Sequence, residues 1–157
     1  MLIAVVGGRD APPPLLAAAE AIGREIARQG HTLICGGLTG VMEAACRGAR
    51  AEGGHTIGVL PGLDPAEANP YVEFVIPTGL NTGRNVIVAL SGAAMIAVGG
   101  AFGTLSEVAY ALQFGRPVVG LETWLIDDGS GREYILRATD PADAVRLAVA
   151  AAGGDAR

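Results

Sequence analysis

Gly99-Gly100-Ala101-Phe102-Gly103-Thr104-Leu105-Ser106-Glu107 lies between a short apolar run, Ala94 to Val98, and a helix-period segment, Phe102 to Phe114. Strand, glycine turn and helix in that order describe a parallel β-strand feeding a crossover helix. In such a turn glycine lets the main chain approach a ligand. The helix start adds unpaired N–H groups and the positive end of its dipole.

The same arrangement occurs twice earlier in the chain. Leu2 to Val6 runs into Gly7-Gly8, and a helix follows from about Leu15 to Gln29 with Leu16, Ala19, Ile22 and Ile26 on one face. Thr32 to Cys35 runs into Gly36-Gly37, with a helix to about Glu52. The remaining predicted strands are His55 to Leu60, Val72 to Ile76, Pro117 to Leu121 and an edge strand, Tyr134 to Ala138. A helix is predicted over Asn81 to Leu90, and another from Asp140-Pro141 to about Ala152, begun by a capping residue and a first-turn proline. Such alternation predicts a Rossmann-like, three-layer α/β/α fold with a six- or seven-stranded, mainly parallel sheet. No linker interrupts the pattern, so a single nucleotide-binding domain is expected over 1–152, with a frayed tail over 153–157. Right-handed crossovers deliver every strand-to-helix turn to the carboxyl edge of the sheet, where the three glycine pairs converge on one pocket.

The chain has 157 residues and a formal net charge of -5, which works against binding nucleic acid through a broad basic surface. A ligand with one or two phosphates remains compatible, because helix N-termini bind anions without a net positive protein. Every basic side chain is arginine apart from the two histidines. The absence of lysine removes the Schiff-base anchor of pyridoxal phosphate and the lysine of a Walker-type phosphate loop. Gly7-Gly8-Arg9-Asp10 followed by three prolines does not fit the G-x-G-x-x-G fingerprint, which disfavours NAD. Cys35 and Cys46 show no metal-ligand spacing and are expected as buried small hydrophobes, so no metal site is assigned. His31 and His55, each between a helix stop and a strand start, are expected to be structural. The longest apolar run, Val86 to Val98, is broken by Ser91 and Gly92 and is too short to span a bilayer. With no basic leader at the start, a cytoplasmic protein away from membranes is expected.

The motif residues resemble the Lonely Guy phosphoribohydrolases and their lysine-decarboxylase-like relatives, whose mark is P-G-G-x-G-T-x-x-E. Gly100, Gly103, Thr104 and Glu107 match in register, whereas Gly99 stands for the proline and Ala101 for the second glycine. Upstream, Asn81-Thr82-Gly83-Arg84-Asn85 keeps the arginine of the family's M-H-x-R-K segment and lacks its histidine and lysine. Gly36-Gly37-Leu38-Thr39-Gly40-Val41-Met42 and Gly58-Val59-Leu60-Pro61 are similar to the family's first glycine loop and the strand after it. The likeness covers about residues 1 to 125.

The resemblance implies hydrolysis of the N-glycosidic bond of a nucleoside 5′-monophosphate, with Arg84 and Glu107 as catalytic residues. The alternative to a working Glu107 is a solvated first-turn carboxylate, and to a working Arg84 a surface arginine. Gly7, Gly8, Gly36, Gly37, Gly99, Gly100, Ala101, Phe102, Gly103 and Thr104 would bind the phosphate or nucleotide. The variant motif is also similar to a side branch of the superfamily, the molybdenum-cofactor carrier proteins, which hold a phosphorylated pterin without consuming it. The alternative function is therefore a non-catalytic carrier or sensor of a nucleotide or molybdopterin-type ligand. No cofactor is required in either case, and lysine decarboxylation is not expected. The consecutive apolar residues Val86 to Leu90 add the expectation of a homodimer or larger homo-oligomer.

Overall fold

A computed structural model describes residues 1–154 of the chain. Its sheet has seven strands, all parallel, in the order β4-β3-β2-β1-β5-β6-β7. The strands are β1 (Leu2–Gly7), β2 (Thr32–Cys35), β3 (Thr56–Leu60), β4 (Phe74–Pro77), β5 (Ala94–Val98), β6 (Val118–Leu121) and β7 (Leu136–Arg137). The helices are α1 (Pro13–Arg28), α2 (Val41–Ala51), α3 (Arg84–Ser91), α4 (Phe102–Gln113) and α5 (Pro141–Gly153).

Alternation along the central strands builds the two cores. Ile3 and Val5 of β1, with Ile96 and Val98 of β5, pack under α1, α2 and α5. Ala4, Val6, Met95 and Ala97 face the opposite way, towards α3 and α4. Strands buried on both faces read as unbroken apolar runs, which is why β1 and β5 were the plainest in the sequence. On the first face α1 and α2 touch backbone to backbone. A Cβ at Gly23 would lie 1.9 Å from the carbonyl oxygen of Ala45, and one at Gly48 would lie 1.9 Å from that of Glu20.

Several boundaries differ from the predicted ones for local reasons. β4 starts at Phe74 and not at Val72. Asn69 accepts the Tyr71 N–H and its carbonyl takes the Val72 N–H, and the resulting turn lays Val72 over Gly58. Residues Asn81–Gly83 form a 3-10 turn ahead of α3, with Asn81 at a φ of 51°. β7 shortens to two residues because it pairs only with the edge of β6. Gly153, expected in the frayed tail, closes α5, while residues 155–157 of that tail lie outside the described residues.

Strand order reverses between β1 and β5, where Gly7 pairs with Val98 at the carboxyl edge. Crossovers leave these two strands towards opposite sides, which opens a crevice between their exit turns. Among the described residues, no helix is long and apolar enough to cross a membrane.

Candidate functional site

The crevice is a cavity of about 620 Å³. Gly7, Gly8, Arg9 and Asp10 line it from the turn after β1, and Met42 and Pro61 from α2 and the end of β3. Asn81, Thr82, Arg84 and Asn85 contribute from the start of α3, and Ala101, Gly103, Thr104 and Glu107 from the start of α4. The first turns of two helices thus face each other across the mouth. Asn85 Nδ2 donates to Ser106 Oγ at 2.9 Å, and Ser106 Oγ donates to the Gly103 carbonyl at 2.7 Å, which fastens one helix start to the other.

Arg84 and Glu107 meet on the inner wall. Arg84 Nη1 donates to Glu107 Oε1 at 3.2 Å, and each side chain is only 7% exposed. The pair makes this single long bond and not the two-point contact of a strong ion pair. Desolvation accordingly dominates both partners. Burial pushes the Glu107 carboxyl up to about 7, against the pull of the Arg84 charge. The same burial, aided by the Arg9 charge, lowers Arg84 from its ordinary value, although a guanidinium stays protonated at any physiological pH.

Gly36 sits behind this pair. A Cβ there would lie 2.4 Å from Arg84 Nη1 and 2.7 Å from its Cζ, so the bare peptide at the end of β2 is a flat seat for the guanidinium.

Two buried donors remain unanswered. Thr104 Oγ1 and Arg84 Nε have no hydrogen-bond partner among the described residues, although both residues line the cavity. Buried polar groups are nearly always paired, and one that is not points to something the protein is built to receive. The start of α4 is open as well: no side chain caps it, and a Cβ at Gly103 would meet nothing within 4 Å. Free first-turn N–H groups, a hydroxyl and a guanidinium N–H are together the donor set of a phosphate or carboxylate site. Glu107 supplies a carboxyl that exchanges its proton near neutrality.

The cavity brings together seven of the residues singled out from the sequence: Gly7, Gly8, Arg84, Ala101, Gly103, Thr104 and Glu107. Gly36 and Gly37 do not line it. Gly36 supports Arg84, and Gly37, with a φ of 74°, packs on Gly58 and Leu60. Gly99 and Gly100 line a separate hollow beside Trp124, and Phe102 points outward, 82% exposed. Arg9, Asp10, Met42, Pro61, Asn81, Thr82 and Asn85 were not assigned to a site from the sequence. The nearest signal was position, because Arg9-Asp10 directly follows a glycine pair and Asn81, Thr82 and Asn85 flank Arg84. The histidines lie elsewhere. His55 Nδ1 is 2.8 Å from the Glu73 carboxylate, and His31 Nδ1 is 3.3 Å from the N-terminal amine. Cys35 and Cys46 are both buried, with their sulfurs 3.5 Å apart. No cluster of metal-ligating side chains occurs among the described residues.

Fold and crevice define a class: Rossmann-like α/β proteins with a donor-lined cavity where strand order reverses. Within that class the chain belongs to the SLOG cluster4 family, whose model matches residues 1–145. The Lonely Guy resemblance carried by Gly100, Gly103, Thr104 and Glu107 therefore holds at the level of family. The molybdenum cofactor binding protein of Rippkaea orientalis superposes with a TM-score of 0.86 at 36% identity, over 93% of this chain and 93% of its own. The molybdenum cofactor carrier protein of Chlamydomonas reinhardtii gives a TM-score of 0.84 at 37% identity, over 96% of this chain and 97% of its own. A cytokinin riboside 5′-monophosphate phosphoribohydrolase of Mycobacterium marinum is 32% identical over 126 residues, 74% of this chain and 67% of that protein.

Proposed function

We propose that the cavity binds a phosphorylated heterocyclic small molecule, a nucleoside 5′-monophosphate or a molybdopterin-type ligand, and that the chain acts as its carrier. The observation that carries this reading is the pair of unanswered buried donors, Thr104 Oγ1 and Arg84 Nε, beside the uncapped start of α4. A phosphate supplies acceptors to all of them and balances the Arg9 charge at the rim. Likeness to molybdenum cofactor carrier and binding proteins over more than nine-tenths of the chain supports the carrier role. The ligand is cargo, so the protein has to hold it and exclude water, without changing its bonds. Native mass spectrometry of freshly purified protein tests this, together with thermal shift against the five common nucleoside monophosphates. A bound phosphorylated pterin, or a rise in melting temperature with a nucleotide, is the expected result. An empty cavity with no shift from any ligand overturns the reading.

A second reading, phosphoribohydrolase, is favoured by Glu107. A carboxyl pushed up to about 7 suits general acid–base work at neutral pH. In that reaction water adds to the anomeric carbon, and the base leaves with the electrons of the N-glycosidic bond and takes up a proton. Glu107 orients and deprotonates the water, while Arg84 holds the phosphate or the carboxyl itself. Chromatography of AMP, GMP, CMP, UMP and IMP after incubation decides between the two. Release of free base by wild type and none by Glu107→Ala supports the enzyme; no release from any nucleotide leaves the carrier.

The chain is further proposed to form a homo-oligomer through the outer face of α3 and α4. Val86, Ile87 and Leu90 stay half-buried there, and Tyr110 and Phe114 are exposed. Sedimentation showing only monomer at micromolar concentration removes this proposal.

A further inference from the structure

Two thiols meet behind the turn that carries the Arg84 seat. Cys35 ends β2 and Cys46 lies midway along α2, 11 positions further on. Both are free and fully buried, and their sulfurs are 3.5 Å apart. A disulfide bond is about 2.05 Å long, so rotation of the two side chains has only about 1.5 Å left to close. The stretch between the cysteines builds one side of the cavity. Gly36 seats the Arg84 guanidinium, and a Cβ at Gly40 would lie 2.3 Å from the carbonyl oxygens of Gly8 and Arg9. The Val41 N–H donates to the Gly8 carbonyl at 3.1 Å.

We propose that Cys35 and Cys46 are a redox modification site, which hydrogen peroxide converts to an intrachain disulfide, and that this bond stiffens the turn over 36–41. The site does not depend on what the cavity binds.

The two sulfurs are unequal. The Cys46 thiol donates to the Cys35 sulfur and holds Cys35 below its ordinary value, against the effect of burial. The Gly37 N–H, which donates to the same sulfur at 3.3 Å, and the Arg84 charge act in the same direction. That same thiol pairing, together with burial, pushes Cys46 up. Cys35 is therefore the sulfur that attacks, and Cys46 the one that resolves. Met42 lines the cavity, stands one turn before Cys46 on α2 and belongs to the same buried cluster as both cysteines. The pair thus lies one side chain below the cavity surface, and rotation of this flexible thioether opens a way for a molecule as small as hydrogen peroxide.

In the first step the Cys35 thiol gives up its proton and its sulfur attacks one peroxide oxygen. The O–O bond breaks, the departing hydroxide takes that proton as water, and Cys35 is left as a sulfenic acid. The Cys46 sulfur then attacks the Cys35 sulfur. The S–S bond forms, the S–O bond breaks, and hydroxide leaves as a second water with the Cys46 proton. Two thiols together lose two electrons, and one peroxide is reduced to two waters. A dithiol reverses the bond by exchange.

Reduced, folded protein is treated with hydrogen peroxide, quenched with catalase, unfolded, alkylated and mapped by peptide mass. The sequence has two cysteines, so the map reads the site directly. The expected result is loss of alkylation at both, a peptide pair linked with the loss of two hydrogens, and recovery of both thiols after dithiothreitol. Hydrogen exchange over residues 36–41 is expected to slow at least about fivefold in the oxidised protein, because a closed ring opens less often. Cys46→Ala, which removes the resolving sulfur, shows neither the linked pair nor the slowing. Two cysteines still alkylated after treatment, sulfinic acid at Cys35 without a link, or links between separate chains overturn the disulfide. A link with exchange over 36–41 unchanged or faster overturns the stiffening.

Discussion

Replacing Glu107 by glutamine should remove a pH dependence from the stability of the whole fold. Burial raises the Glu107 carboxyl from 4.5 to about 7, so between those values the folded chain keeps a proton that the unfolded chain has released. Its contribution is fully present below about pH 4.5 and is lost as pH rises through about 7. At about 1.36 kcal/mol per unit the total is about 3 kcal/mol, of which about 2 kcal/mol falls between pH 5.5 and 8.5. Glutamine has the shape of the protonated acid and can still accept from Arg84, so the variant carries no such dependence. Urea melts of both proteins across that range give the difference in unfolding free energy at each pH. Taking the difference cancels other titrating groups, such as His31, whose pKa burial lowers and whose contribution has the opposite sign. The Arg84 guanidinium, which donates to Glu107, keeps its charge throughout. Glu107→Gln should gain about 2 kcal/mol on wild type from the acid to the alkaline end. A difference that stays constant within about 0.5 kcal/mol refutes the claim that burial outweighs the Arg84 pairing.

Other substitutions separate roles that lie close together. Thr104→Val keeps the shape and removes a buried hydroxyl without a partner, so stability by urea melt should hold or rise by up to about 1 kcal/mol. Affinity for the phosphorylated ligand should meanwhile fall about ten- to hundredfold by calorimetry, the loss of one hydrogen bond to a charged group. Gly36→Ala should weaken ligand binding about tenfold while the circular dichroism spectrum is unchanged, because the new methyl displaces the Arg84 guanidinium from its seat without touching the ligand. Gly23→Ala should cost more than about 3 kcal/mol in thermal melts, since its Cβ falls on the Ala45 carbonyl and can be accommodated only by parting α1 from α2.

Much of this was readable in the sequence because it is local. Apolar runs at β1 and β5 and glycine pairs at their ends each report the conformation of a few adjacent residues, and Asp140 before Pro141 marked the start of α5 through a cap that forms within four residues. The motif residues Thr104 and Glu107 fall three positions apart on one helix start, a spacing that puts them on the same face. The edges were less legible. β4 and β7 each have one neighbour, and the Asn69 turn that sets where β4 begins depends on contacts with β3.

What the linear order determined by itself was the succession of strands and helices, a mainly parallel sheet and the carboxyl-edge position of the glycine turns, all consequences of period and chain chirality. Only the folded arrangement decided that Arg84 meets Glu107, 23 positions along the chain, that Gly36 is a seat for a guanidinium, and that Trp124 closes a hollow beside Gly100. Those partners come from elements packed side by side but far apart in the chain, and spacing along a backbone carries no record of which distant side chains will share one desolvated volume. The same reason governs Glu107's proton: its affinity comes from the water removed around it, a quantity that exists only once the layers have closed.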